Sequence, residues 1–230
     1  MKKYIWKNYF DIVILPPKGV SDYARKLSKE LSRRYETKWT LRKSSFIPHI
    51  SLYHIAVKPK NFEAFISEIK RTIKVFKPGY LQTTMIEPGL LMFDKPDWIK
   101  KLYLRIIKNT LKYWDWDYGT DNFWHLSYLR KISKRMRKIR TRFIKKYGTP
   151  AIGPNFRPHI TLTSFEGKIS ELKVRKAKLL RFKPKYLYLW ELGPSHSFKI
   201  IVRKLTFSKI RTIWVAARYQ TRRIPNSQIW

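Results

Sequence analysis

Two of the five histidines in this 230-residue chain stand in nearly the same setting. His49 lies in Pro-His-Ile-Ser-Leu (48–52) and His159 in Pro-His-Ile-Thr-Leu (158–162). In a strand, residues i and i+2 point to one face. His49 and Ser51 would therefore share a face, with Ile50 and Leu52 turned to the core, and His159 and Thr161 would repeat the arrangement. If the two strands lie side by side, two imidazoles and two hydroxyls converge. That set suits phosphodiester chemistry: a neutral imidazole takes a proton from an attacking hydroxyl or water, and an imidazolium protonates the leaving oxygen. The hydroxyls can donate to the non-bridging phosphate oxygens, whose charge grows in the transition state. The scheme needs no metal and no cofactor. One such motif alone reads as a histidine satisfied in a core; its recurrence argues for a catalytic pair. A zinc site is disfavoured, because His49 and His54 fall on opposite faces of a regular strand and no acidic cluster accompanies them.

The neighbouring positions extend the reading. Arg157, two residues before His159, falls on the same face and could hold a phosphate or be a solvated strand-end arginine. Tyr53 and Thr163 continue the two faces and are candidate cleft residues. Tyr186, Tyr188 and Trp190 share one strand face and could stack on a base, although ordinary cores also collect aromatic side chains. His125 and His196 are isolated and are assigned no chemistry.

Positioning these residues requires strands that alternate with helices. Residues 9–15 (YFDIVIL) read as a buried strand closed by Pro16-Pro17. Ser21 is a candidate N-cap for a helix to about Tyr35, with Tyr23, Leu27 and Leu31 on one stripe. A histidine strand over about 46–57 follows. Asn61 could cap a helix to about Phe76 that buries Phe62, Phe65, Ile69 and Ile73. Two strands flank Pro88-Gly89. A helix carrying Trp98, Leu102, Ile106 and Thr110 comes next, then a basic helix over about 125–147. The second histidine strand (about 157–165) leads to a hairpin formed by about 185–192 and 198–207. The fold class is α+β, with two related lobes and no linker between them.

Charge is the extreme feature: 51 Lys and Arg against 15 Asp and Glu give a net +36. Self-repulsion of that size calls for a polyanionic partner or high salt, unless it reflects a lysine-rich proteome. Within the basic helix, Leu129, Ile132, Met136, Ile139 and Phe143 form a narrow apolar stripe. Arg130, Lys134, Lys138 and Lys145 would lie opposite it, with no acid between Arg130 and Lys146. Solvated charged faces usually mix both signs, so this one reads as an RNA-contacting surface. The stripe is too narrow for a membrane-surface role. With no cysteine there are no disulfides or thiolate metal sites. The apolar run near the start is broken by Lys7, Asn8 and Asp11 and lacks a cleavage site, so it does not read as a signal peptide. No stretch has the length of a membrane span. A cytoplasmic monomer is the default expectation.

The paired His-x-(Ser/Thr) motifs resemble those of the two-histidine (2H) phosphoesterase superfamily, particularly its 2'-5' RNA ligase and cyclic phosphodiesterase (LigT-like) branch. YFDIVILPP is similar to that family's opening strand and YLYLWELGPSHSFKIIVRKLTF to its closing hairpin. The resemblance implies a bilobal α+β fold of two pseudo-symmetric antiparallel sheets flanked by helices, with a central cleft. It also implies that His49, Ser51, His159 and Thr161 carry the catalysis. Two departures are a longer gap between the motifs and Ser in place of the commoner Thr in the first. The expected arrangement is one bilobal domain over 1–218, a basic helical insertion at about 123–148 and a tail over 219–230. The expected activity is metal-independent hydrolysis of a 2',3'-cyclic phosphate or a 2'-5' linkage in RNA or an oligonucleotide. The rivals are an exoribonuclease-like 2H enzyme that leaves a cyclic phosphate, and a non-catalytic RNA-binding protein on the same fold.

Overall fold

All six residues of β1 (Tyr9–Ile14) are buried, as expected of a strand covered on both faces and flanked by neighbours on both edges. The computed structural model describes residues 8–43, 46–116, 129, 132–167, 172–192 and 198–207. β1 lies between β2 (Ile50–Ala56) and β8 (Tyr186–Leu192), and β9 (Phe198–Thr206) completes an antiparallel sheet of order β2-β1-β8-β9. The second sheet has the order β5-β4-β3-β6. It is built from β3 (Leu81–Glu87), β4 (Leu90–Phe93), β5 (His159–Thr161) and the two-residue β6 (Arg175–Lys176), and β7 (Arg181–Phe182) also pairs with β3. The fold is the anticipated α+β arrangement of two antiparallel sheets. The hairpin of β8 and β9 and the strands on either side of Pro88-Gly89 form as the sequence predicts; β6 and β7 are too short to leave a periodic signal.

The helices interlock the two sheets. α1 (Lys18–Arg34) leaves the first sheet but is tied to the second. Ser28 Oγ, fully buried, donates to Leu162 O (2.6 Å) and accepts from Leu41 N (2.9 Å), and Tyr23 Oη accepts from Lys178 N. α2 (Phe62–Lys74) and α3 (Asp97–Thr110) pack on each other and on the first sheet, where the Phe10 ring meets Phe62 (5.2 Å) and Phe65 (6.4 Å). α1 begins three residues before Ser21, because Pro17 with its fixed φ already stands at the N-cap; the Ser21 hydroxyl instead donates to Pro16 O. Asn61 does occupy the N-cap position of α2, without a side-chain cap bond. Replacing Ser28 by Ala would orphan a buried carbonyl and a buried N–H at once, and is expected to cost about 1–3 kcal/mol. Urea denaturation checks it; an unchanged midpoint would mean that this tie contributes nothing.

α4 (Lys134–Tyr147) is shorter than the helix expected over 125–147. Ser133 caps it by accepting from Met136 N, which places Ile132 outside the helix. Met136, Ile139 and Phe143 are half-buried and only Ile144 within the helix is buried, so the stripe rests on the protein rather than inside it. Lys134, Lys138 and Lys145 are exposed as anticipated, and Arg130 lies outside the described residues. Eight of its fourteen residues are Lys or Arg, and no acid occupies the first turn, so Lys134 and Arg135 sit unfavourably at the positive end of the helix dipole. Gly148 ends the helix at φ +67°, with Trp114 packed where a Cβ would be. Among the described residues, no helix is long and apolar enough to cross a membrane. The expected tail at 219–230, His125 and His196 also lie outside them.

Candidate active site

The two histidine motifs sit on the facing edges of the two sheets. β2 ends the first sheet and β5 the second, and the two strands are in contact. β5 is held by β4, with His159 opposite Met92 and Thr161 opposite Leu90. Beyond it, Leu162 N donates to the carbonyl of Gly89, whose φ of +73° and lack of a Cβ let Thr163 O approach the turn.

Each imidazole is oriented in the same way. His49 Nδ1 is 2.7 Å from Ile47 O, and His159 Nδ1 is 2.7 Å from Arg157 O. A carbonyl can only accept, so each Nδ1 carries the proton and Nε2 is the nitrogen left for proton transfer. Burial pushes both histidines below their ordinary value of 6.5. For His49, Asp11 and the Ile47 carbonyl oppose this while His54 adds to it. For His159, the Arg157 carbonyl opposes it and the charge of His49 adds to it. Ser51 and Thr161 are both half-buried, each two residues beyond its histidine.

A β-bulge reshapes the first motif. Ile12 pairs with Tyr53 but Val13 pairs with Ser51, so Leu52 is the extra residue. The bulge resets the alternation and brings His54 to the face that holds Ser51. His54 Nε2 lies 3.0 Å from Asp11 Oδ2, and His49 Nε2 lies 3.8 Å from the same oxygen, so the two rings do not diverge as in a regular strand. Tyr53 is correspondingly turned away from the cleft: it is buried, and its hydroxyl donates to Tyr147 O (2.8 Å), pinning the C-terminus of α4 to β2. Burial raises the Tyr53 hydroxyl far above its ordinary value, which keeps it a neutral donor.

Other expected cleft residues are also committed elsewhere. Thr163 is buried and donates to Trp39 O at 2.5 Å, which takes it out of the strand face. Trp190 is fully buried and presents its ring to His49 at 4.6 Å and 61°, so it buttresses the imidazole and has no surface for a base. Tyr188 remains partly exposed, edge-on to Tyr186 at 6.2 Å, and Lys204 Nζ stands 3.8 Å over the Tyr186 ring. Arg157 is exposed and its guanidinium is paired with Glu87. A phosphate would have to draw it from that carboxylate.

Sequence reasoning misses Asp11. It is 0% exposed, and its Oδ2 accepts the Ser51 hydroxyl at 2.6 Å as well as facing His54 and His49. A signal for it is present: an acid inside an otherwise apolar strand must be paired to be buried. Among the described residues, no group of three or more His, Asp or Glu side chains is arranged to hold a metal ion.

The fold is similar to that of solved structures. TT0787 of Thermus thermophilus superposes with a TM-score of 0.59 at 12% identity, over 86% of this chain and 97% of its own. A phosphoesterase crystal structure aligns at 0.56 with 9% identity, over 88% of this chain and 99% of its own. Escherichia coli LigT in complex with 3'-AMP aligns at 0.55 with 11% identity, also over 88% and 99%. The chain has the 2H phosphoesterase fold. No protein-family model and no curated protein matches the sequence. The likeness to the 2H fold is therefore one of architecture; His49 immediately precedes β2 and His159 opens β5, the two edge strands in contact.

Proposed function

We propose that this 2H-fold protein is a phosphodiesterase of RNA or oligonucleotide ends, opening a 2',3'-cyclic phosphate or cleaving a 2'-5' linkage. The observation that carries this reading is the matched pair of imidazoles, each with Nδ1 held by the carbonyl two residues upstream, at the starts of two edge strands in contact. One Nε2 takes a proton from water as its oxygen bonds to phosphorus. The other Nε2 gives a proton to the oxygen whose bond to phosphorus breaks. Solvent exchange then resets both rings. Thr161 supplies a hydroxyl to the developing charge on the phosphate. LigT is described in complex with 3'-AMP; nucleoside monophosphates are the class of product that opening a 2',3'-cyclic phosphate leaves. The charge of +36 and the one-signed α4 favour a polyanionic substrate.

The test is product analysis on short RNAs that end in a 2',3'-cyclic phosphate, contain one 2'-5' linkage, or are wholly 3'-5' linked. Expected is a linear monophosphate from the first or cleavage of the second. A new cyclic phosphate from the third would show that the substrate's own 2'-OH attacks, as in the exonuclease reading. Tight binding with no turnover of any of them would make this an RNA-binding protein.

Activity is expected to survive exhaustive EDTA, because both proton transfers use imidazole. Loss on chelation with recovery on added zinc or manganese would move the chemistry to a metal. The pH profile should be a bell. Depressing the base's affinity keeps it neutral to lower pH, and depressing the acid's affinity strips its proton at lower pH. Both limbs therefore move to the acid side of where two ordinary histidines would put them. Measuring kcat/KM against pH decides it, and a maximum on the alkaline side of neutrality would contradict the account.

A further inference from the structure

The two catalytic histidines have unlike surroundings. His49 is faced by Asp11 from β1, by Ser51 and His54 from β2 and by Trp190 from β8. His159 is instead influenced by Arg157 and Glu87, which are paired with each other. Only His49 thus has a fully buried carboxylate within 4 Å of its reactive nitrogen, at 3.8 Å. That carboxylate is incompletely satisfied. Oδ2 carries the Ser51 and His54 contacts, while Oδ1 is buried and has no hydrogen-bond partner among the described residues. A buried carboxylate with one bare oxygen keeps an uncompensated field, which acts on His54 at 3.0 Å and, of the two motif histidines, on His49 at 3.8 Å.

We propose that the buried Asp11–His54 pair makes the two histidines unequal, holding the proton on His49 Nε2 so that His49 is the acid and His159 the base; this rests on the two-histidine reading above. Asp11 is a positioning residue, since Ser51 and His49 stand between it and the substrate. His54 sets its strength: as a neighbour on the same oxygen it draws part of the carboxylate's field away from His49. Ser51 donates its hydroxyl hydrogen bond to Asp11, so the donor role expected of it falls to Thr161.

The experiment compares Asp11→Asn and His54→Gln with wild type in the kcat/KM–pH profile, and follows the His49 and His159 ring protons by NMR titration. Asn keeps the shape and removes the charge, so the alkaline limb and the His49 titration are expected to move down by about one pH unit. Gln keeps a donor to Asp11 and removes the competing imidazole, so both are expected to move up. Opposite shifts from the two variants, with the His159 titration moving less, support the proposal. A shift of the acid limb instead would make His49 the base, and no shift in either variant would make Asp11 merely structural; both overturn it. If Asp11→Asn does not fold, the upward shift in His54→Gln decides alone. If wild type turns over no phosphodiester, the functional reading fails, while the NMR titrations still show whether Asp11 holds the proton on His49.

Discussion

Replacing His49 or His159 by Ala is expected to lower turnover by about 10²-fold or more, with much smaller change in substrate affinity. Each substitution removes a proton carrier that acts in the transition state while leaving the strand intact. Ile50 and Leu52, and Ile160 and Leu162, are buried just after each histidine and hold the backbone in place. Thr161→Ala should cost less, because it removes one neutral donor. Ser51→Ala should also cost less, and it strips a proton donor from Asp11. Steady-state kinetics on purified variants with wild-type circular dichroism make the check. Near-normal turnover in either histidine variant would end the acid–base account.

The second large effect concerns RNA capture. Changing Arg130, Lys134, Lys138 and Lys145 together to Gln is expected to weaken binding to long RNA. It should also flatten the log–log salt dependence by about 0.7 for each phosphate of a single strand that the variant no longer neutralises. Lys134, Lys138 and Lys145 are exposed, so their substitution opens no cavity. Turnover of a cyclic mononucleotide, which carries a single phosphate, should be unchanged. RNA affinity measured at several salt concentrations decides the matter. Equal affinities and slopes in wild type and variant would make α4 an ordinary solvated surface.

What the sequence makes legible, and what it hides, follows from the range of the interactions. The periodicity of α2 and the Pro88-Gly89 turn between β3 and β4 are local and readable, as is the repeated five-residue motif. The bulge at Leu52 is not, because two residues opposing one is a property of the pairing between β1 and β2. From that single insertion follow the burial of Tyr53 and the arrival of His54 at Asp11. The start of α4 is obscured because an apolar repeat continues back through Ile132 and Leu129, whereas Ser133 breaks the helix with its own side chain. Thr163 leaves the expected strand face for a carbonyl 124 positions earlier in the chain. Trp190 favours a core over a ligand by sequence, and it is indeed fully buried, in edge contact with His49.

The most direct test is the single-turnover rate on a short RNA ending in a 2',3'-cyclic phosphate, for wild type and for the His49→Ala/His159→Ala double variant. The account predicts ring opening to a linear monophosphate by wild type in EDTA. It also predicts that the double variant falls by little more than either single variant, because the two rings act as a unit. Ring opening by the double variant at near the wild-type rate, or two single losses that simply multiply, would contradict it.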